Sequence, residues 1–368
     1  MMSAPKPHKW LNKLAPYVPG RASADGVREP VKLSANESVF GPSPAAIGAY
    51  VSAQEKLMRY PEGGANQLRQ AIASVHGLRA DQIVCSAGSD EILLLLAQAY
   101  AGPGDEIIHS RYGFSYYPLI ATSVGAVPVA VENENWTASV DGILAAVTPR
   151  TKIIFLDNPN NPTGTYLSVA EVARLHAGLR SDILLVLDAA YAEAASVDDY
   201  DAGAAMVDAH ANVVMTRTFS KLYALAALRV GWGYMPPAIA DTLNRMRSPF
   251  NVNLPAQAAA TAAVLDQDHL AAAVAFNCEG RSWLTAELSA LGLRVVPSQT
   301  NFILIEFPDE KPFTAEDANN FLAERGILLR WLPGQGLASH LRMTVGTIKQ
   351  NQSVVMLLKQ LLSGEKVT

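Results

Sequence analysis

Three short apolar runs in this chain are each followed by side chains that could do chemistry. After Leu156 comes Asp157-Asn-Pro-Asn-Asn161-Pro-Thr-Gly164; after Leu187 comes Asp188-Ala-Ala-Tyr191; after Thr216 comes Arg217-Thr-Phe-Ser-Lys221, with Arg229 a little further on. A lysine amine condenses with an aldehyde to a Schiff base, and the aldehyde that such a set would serve is pyridoxal phosphate. In that chemistry Asp188 pairs with the pyridine nitrogen and keeps it protonated, so that the ring can act as an electron sink. Asn161 and Tyr191 carry donors for the ring's phenolic oxygen. Thr218, Ser220 and Arg229 supply hydroxyl and guanidinium donors suited to a phosphate. A second phosphate element lies upstream, where Cys85-Ser-Ala-Gly-Ser-Asp-Glu91 precedes an apolar helical run. Glycine and small polar residues at a helix start offer free N–H groups and the positive dipole end to an anion, and Ser89 and Asp90 stand there.

These residues converge only if the runs before them are neighbouring parallel strands. The stretches 152–156, 183–187 and 212–216 are apolar without alternation, which marks strands covered on both faces. Between the first two, 168–179 has a helical period; Ser168 with Glu171 three residues on predicts a capping box. Strands alternating with helices predict an α/β fold with a mostly parallel sheet over 43–250, whose carboxyl edge is where ligands sit. Beyond Asn251-Val-Asn-Leu-Pro255 the pattern changes. An Ala-rich helix over 255–291, strands over 301–306, 326–330 and 340–345, and a helix over 315–325 predict a smaller α+β domain. It comprises 251–368, joined by 1–42.

The 368 residues are enough for about two domains. Charged residues are only 17% of the chain and apolar residues 49%, so a large core is expected and disorder is excluded. A net charge of −5 argues against a nucleic-acid surface. No apolar run approaches the roughly 20 residues needed to cross a bilayer, and the first ten residues lack the apolar stretch of a secretory signal, so a cytoplasmic protein is expected. Two cysteines cannot build a disulfide framework; Cys85 and Cys278 read as small apolar residues. No histidine pair at i, i+4 marks a zinc helix, so no metal is expected, and no nucleotide-binding glycine motif is present.

Seven segments in order carry a family resemblance: Arg59-Tyr-Pro61, Gly88-Ser-Asp-Glu91, Asn158-Pro-Asn-Asn-Pro-Thr-Gly164, Asp188-Ala-Ala-Tyr191, Thr218-Phe-Ser-Lys221, Leu228-Arg-Val-Gly231 and Leu341-Arg-Met-Thr-Val-Gly346. Over nearly its whole length the chain resembles fold-type-I pyridoxal-phosphate aminotransferases, most closely the histidinol-phosphate branch. The resemblance implies that Lys221 holds the cofactor and moves the substrate's α-proton. It implies that Asp188 partners the pyridinium, that Asn161 and Tyr191 serve the phenolic oxygen, and that Ser89, Asp90, Thr218, Ser220 and Arg229 form the phosphate cup. Tyr112 sits where the family stacks a ring on the cofactor. Tyr60 matches a tyrosine that reaches the cofactor phosphate of a neighbouring subunit, which implies a homodimer with shared active sites. Arg342 matches the arginine that binds the substrate's acidic group, with Arg330 as a second cation; Tyr17 and Asn36 match residues at the substrate mouth.

The activity so implied interconverts histidinol phosphate and imidazole acetol phosphate, with glutamate and 2-oxoglutarate as the other pair, in histidine biosynthesis. An aromatic amino-acid aminotransferase and a pyridoxal-phosphate decarboxylase of a phosphorylated amino acid are the alternatives. Two departures stand out. Ala224 and Ala227 replace glycines common in the family, which predicts tighter packing and unchanged chemistry, alanine being the better helix former. Arg111 stands where relatives carry a small residue, and its charge has no account in the sequence.

Overall fold

The computed structural model describes residues 5–21, 23 and 28–363. Seven strands form the large sheet: β1 (Ile83–Ser86), β2 (Glu106–Ser110), β3 (Val127–Val131), β4 (Thr151–Asp157), β5 (Leu184–Asp188), β6 (Val213–Thr218) and β7 (Gly231–Tyr234). Their spatial order is β1-β7-β6-β5-β4-β2-β3, and every pairing is parallel except the two made by β7. The continuous apolar character of β4 has a direct cause. Ile153 and Phe155 face one core, and Ile154 and Leu156 face another, because successive strand side chains point to opposite faces. Helices Asn66–His76, Val169–Ala177 and Leu254–Leu265 contribute to the core on the Ile154 and Leu156 face. Helices Ser89–Tyr100, Tyr117–Ser123 and Pro237–Met246 cover the other.

The second sheet has four antiparallel strands, β8 (Arg294–Val296), β9 (Phe302–Glu306), β10 (Arg330–Leu332) and β11 (Leu337–Thr344), in the order β8-β9-β11-β10. Helices Gln267–Ala290, Ala315–Glu324 and Ile348–Ser363 pack on it through Leu284, Leu322 and Leu358. Val31–Lys32 pairs in parallel with Ile327–Leu328, and the Thr344 N–H donates to Leu33 O at 2.9 Å, which ties the N-terminal segment to this sheet. The fold is thus α/β, with a mostly parallel large sheet and a smaller α+β part.

Several elements depart from the pattern read in the sequence. The Ala-rich stretch is two helices, broken at Asp266, whose side chain caps the second by accepting from His269 N at 3.2 Å. The first of the two packs Ala256, Ala259 and Ala260 into the large-sheet core, so that core reaches past residue 250. At the other end, Trp10 Nε1 donates to Ser123 O at 3.3 Å, so part of 1–42 lies on the large sheet's helices rather than on the small sheet. Residues 1–4, 22, 24–27 and 364–368 of the expected small domain lie outside the described residues. The capping box at Ser168 is half made. Its hydroxyl accepts from Glu171 N, but the Glu171 carboxylate turns to Arg174. The complete box is at Thr314 and Asp317.

Candidate active site

Parallel strands end at the same edge, and register makes Asp157, Asp188 and Thr216 lateral neighbours at the carboxyl ends of β4, β5 and β6. A cavity of about 240 Å³ opens there, between this edge and the small sheet. It is lined by Ser89, Asp90, Asn161, Asp188, Tyr191, Thr218, Ser220, Lys221 and Arg229 from the large-sheet side, and by Tyr17, Asn36, Arg330 and Arg342 from the other.

Asp188 is buried, yet both its oxygens accept: Tyr117 OH donates at 2.9 Å and Thr216 Oγ1 at 3.0 Å. Burial pushes its carboxyl up to about 6, and the two hydroxyls pull the other way. At neutral pH it is an anion aimed into the cavity. The Lys221 amine is pushed down to about 8, first by burial and then by the Arg342 guanidinium. Its Nζ stands 5.5 Å from the Tyr191 ring centroid. Tyr191 OH accepts from Asn36 Nδ2 at 2.8 Å, and burial raises its phenol to about 12, so it keeps its proton.

The phosphate end is built on a close backbone approach. Helix Ser89–Tyr100 starts at the cavity wall, with Ser89 and Asp90 in the lining and no side chain capping its first turn. It can sit there because β7 begins with glycine: a Cβ on Gly231 would lie 2.4 Å from Ser89 N. Gly88, at φ +87, leaves room for the Arg229 guanidinium, whose Nη2 would be 2.5 Å from an added Cβ. Arg229 donates to Ser220 Oγ at 3.2 Å and pairs with the Asp90 carboxylate at 3.3 Å. The Asp90 carboxylate therefore serves Arg229, and only its backbone N–H is suited to an anion. Ala224 lies in a turn at φ +56, not in a helix, so replacing glycine there costs backbone strain of about 1 kcal/mol. The helix-propensity expectation does not apply at Ala224, whereas Ala227 lies in the short 3-10 helix Ala226–Leu228.

On the small-sheet side, Arg342 projects from β11 with 9% exposure. It donates to Asn161 Oδ1 at 2.5 Å and to Ser34 O at 2.9 Å. Burial lowers its pKa to about 10, with Arg330 adding to the fall. Arg330 donates to the carbonyls of Pro19 and Val18 at 2.5 and 2.6 Å, holding the segment beside Tyr17 at the mouth. Asn36, at φ +57, is 1% exposed, and its Oδ1 has no hydrogen-bond partner among the described residues.

Two expected residues stand off this cavity. Tyr112 packs on Trp136, 5.7 Å between centroids, and the ring that lines the cavity on that side is Phe114. Tyr60 is 82% exposed and stacks on Phe250 at 4.6 Å. Arg111 lies at the surface facing Glu132 at 3.9 Å, which gives its charge a partner. The sequence reading gave no role to Asp157, Phe114, Tyr117 or Thr216. Asp157 carried a signal, being an acid at a strand end like Asp188; Tyr117 carried none, since only folding brings it to Asp188.

The donor set fits pyridoxal phosphate. A buried carboxylate, a lysine with a lowered pKa, and an uncapped helix start with an arginine beside it all line one cavity. Among the described residues no three His, Cys, Asp or Glu side chains gather to hold a metal, and no helix is long and apolar enough to cross a membrane.

Residues 28–358 match the family described as "Aminotransferase class I and II". A histidinol-phosphate aminotransferase of Paramagnetospirillum magneticum is 51% identical over 99% of this chain and 100% of its own. One of Rhodopseudomonas palustris is 50% identical over 96% of this chain and 97% of its own. Among solved structures, the histidinol-phosphate aminotransferase of Sinorhizobium meliloti in complex with pyridoxal-5'-phosphate superposes with a TM-score of 0.89, at 26% identity, over 100% of both chains.

Proposed function

The chain belongs to the class I and II aminotransferase family and is a pyridoxal-phosphate-dependent aminotransferase, and from that premise we propose that it exchanges the amino group of histidinol phosphate with 2-oxoglutarate, in histidine biosynthesis. The observation that carries this substrate is the half-chain identity, over essentially full length, with two relatives named for it. The cavity adds a second support. Arg330 and Arg342 both reach it from the small sheet, and a phosphate monoester with up to two charges suits two guanidinium groups.

The cofactor, when bound, supplies an electron sink for the bond broken at the substrate's α-carbon. This chain's residues do the rest. Asp188, anionic above about pH 6, would hold the proton on the pyridine nitrogen. Lys221 Nζ, with its pKa near 8, is close to equal acid and base strength at working pH, which suits an amine that takes a proton and gives it back. The protonated Tyr191 hydroxyl and the Asn161 amide would donate to the ring oxygen. Ser89, the Asp90 N–H, Thr218, Ser220 and Arg229 would bind the phosphate. Arg342 would leave Asn161 Oδ1 for the acidic group of substrate, with glutamate using the same arginine. We further propose a large cofactor domain over 43–250, to whose core helix Leu254–Leu265 is added, and a small domain from 1–42 and the rest of 251–368. We also propose a cytoplasmic location and a homodimer in which the exposed Tyr60 serves the partner's cofactor phosphate.

The test is a panel of amino donors with 2-oxoglutarate: histidinol phosphate, phenylalanine and aspartate. Histidinol phosphate should have the highest kcat/KM. A preference for phenylalanine would move the assignment to aromatic amino acids, and carbon dioxide release without 2-oxoglutarate would move it to a decarboxylase.

A further inference from the structure

One buried acid in the cavity wall has no role in this chemistry. Asp157 ends β4 and is 4% exposed, directly beside Asp188 in the sheet register. A second carboxyl next to an essential anion is unfavourable, and burial, with Asp188 adding, pushes Asp157 up to about 8. Its contacts show what it is tied to. Oδ2 accepts from the Asn161 N–H at 2.8 Å, and Oδ1 accepts from Asn160 Nδ2 at 3.1 Å. The Phe114 N–H also faces the carboxylate, and a Cβ on Gly113 would lie 3.2 Å from Oδ1. The two loops that flank the cavity, one bearing Phe114 and one bearing Asn161, thus meet on a single side chain.

We propose that Asp157 is a positioning residue: it fixes the Asn161 backbone, and through it aims the Asn161 amide at the ring oxygen of the cofactor. The inference rests on the functional reading above, in which Asn161 donates to that oxygen. Asn161 Oδ1 accepts from Arg342 at 2.5 Å, so the donor for the ring oxygen is the amide's Nδ2, and the backbone held by Asp157 sets where it points. The other ionisable groups around Asp157 are Asp188 on β5, the Tyr117 phenol from its helix and Tyr191 from the turn after β5. None of them touches Asn161 N, so the clamp is specific to Asp157.

The readout is the midpoint of the pH-dependent change in absorbance of the bound cofactor, measured on the loaded protein. A donor on the ring oxygen favours the proton-poor form, so losing that donor moves the midpoint up. Asn161→Ala should raise it by about one pH unit, the size of one hydrogen bond to a charged oxygen. Asp157→Ala should raise it by at least half as much. Asp157→Asn, which keeps the shape and one acceptor, should give a smaller rise and serves if the alanine variant does not fold. The double variant Asp157→Ala/Asn161→Ala should match Asn161→Ala alone, because the effect of Asp157 runs through Asn161. An unmoved midpoint in the Asp157 variants, or shifts that add in the double variant, would overturn the inference and leave the role of Asn161 intact. An unmoved midpoint in Asn161→Ala would overturn both. An unaltered protein with no cofactor band would overturn the functional reading itself, and this inference with it.

Discussion

Lys221 owes its reactivity to where it is enclosed. Removing water from an ammonium disfavours its charge, and the Arg342 guanidinium adds repulsion, so the amine is freed near pH 8 instead of above 10. The sign follows directly: below the shifted pKa the amine is protonated and cannot attack an aldehyde, and above it the free amine dominates. The rate at which cofactor-free protein takes up pyridoxal phosphate should therefore climb from pH 6.5 to about 8 and then level off. Stopped-flow absorbance measures this, and a rate still climbing steeply between pH 9 and 10 would contradict the burial argument. Lys221, Asp188 and Asn161 were legible in the sequence because a strand end followed by a reactive side chain is a local pattern. The partners that tune them were not. Tyr117 on Asp188 and Arg342 beside Lys221 come from distant segments, and nothing local announces them.

At the scale of elements, β4, β5 and β6 could be read because burial on both faces removes all alternation from their sequence. β7 escaped that reading, since Gly231-Trp-Gly-Tyr234 looks like a turn. Its first glycine is there for the helix that starts at Ser89, which touches the strand where a side chain would be. Gly231→Ala should force helix and strand apart, at a cost of about 1–3 kcal/mol. It should lower Tm and also weaken cofactor retention, because the displaced helix start carries the proposed phosphate donors. Thermal unfolding with and without cofactor separates the two effects. A variant that loses stability but retains cofactor as tightly as the unaltered protein would break the link between this contact and the phosphate cup. The helix boundary at Asp266 and the packing of Leu254–Leu265 on the large sheet were hidden for a related reason: an alanine-rich stretch has no strong apolar face to say which core it joins.

At the scale of the whole molecule, the groups proposed to hold the cofactor come from the large sheet and the cations proposed for substrate from the small one, and the cavity they line lies where the two meet. The proposed dimer extends this logic. Tyr60 is not among the residues that line its own chain's cavity and is exposed beside Phe250. Mixed under conditions that exchange subunits, the weakened Tyr60→Ala and the inactive Lys221→Ala variants should give more activity than Tyr60→Ala alone, because the heterodimer holds one intact site; a mixture that exchanges without that gain would exclude sharing through Tyr60. One hydrogen bond to a charged phosphate is about 1.5–3 kcal/mol, enough for the Tyr60 defect to be measurable. Substrate choice depends on the small sheet. Arg342 would serve any acidic substrate, whereas Arg330, held to the Val18 and Pro19 carbonyls at the mouth, is the cation left for a phosphate. The most direct measurement is kcat/KM for histidinol phosphate and for phenylalanine on Arg330→Ala, read as transition-state free energies against the unaltered protein. The loss with histidinol phosphate should exceed the loss with phenylalanine by tenfold or more; equal losses for the two donors would contradict a site built for a phosphorylated amine.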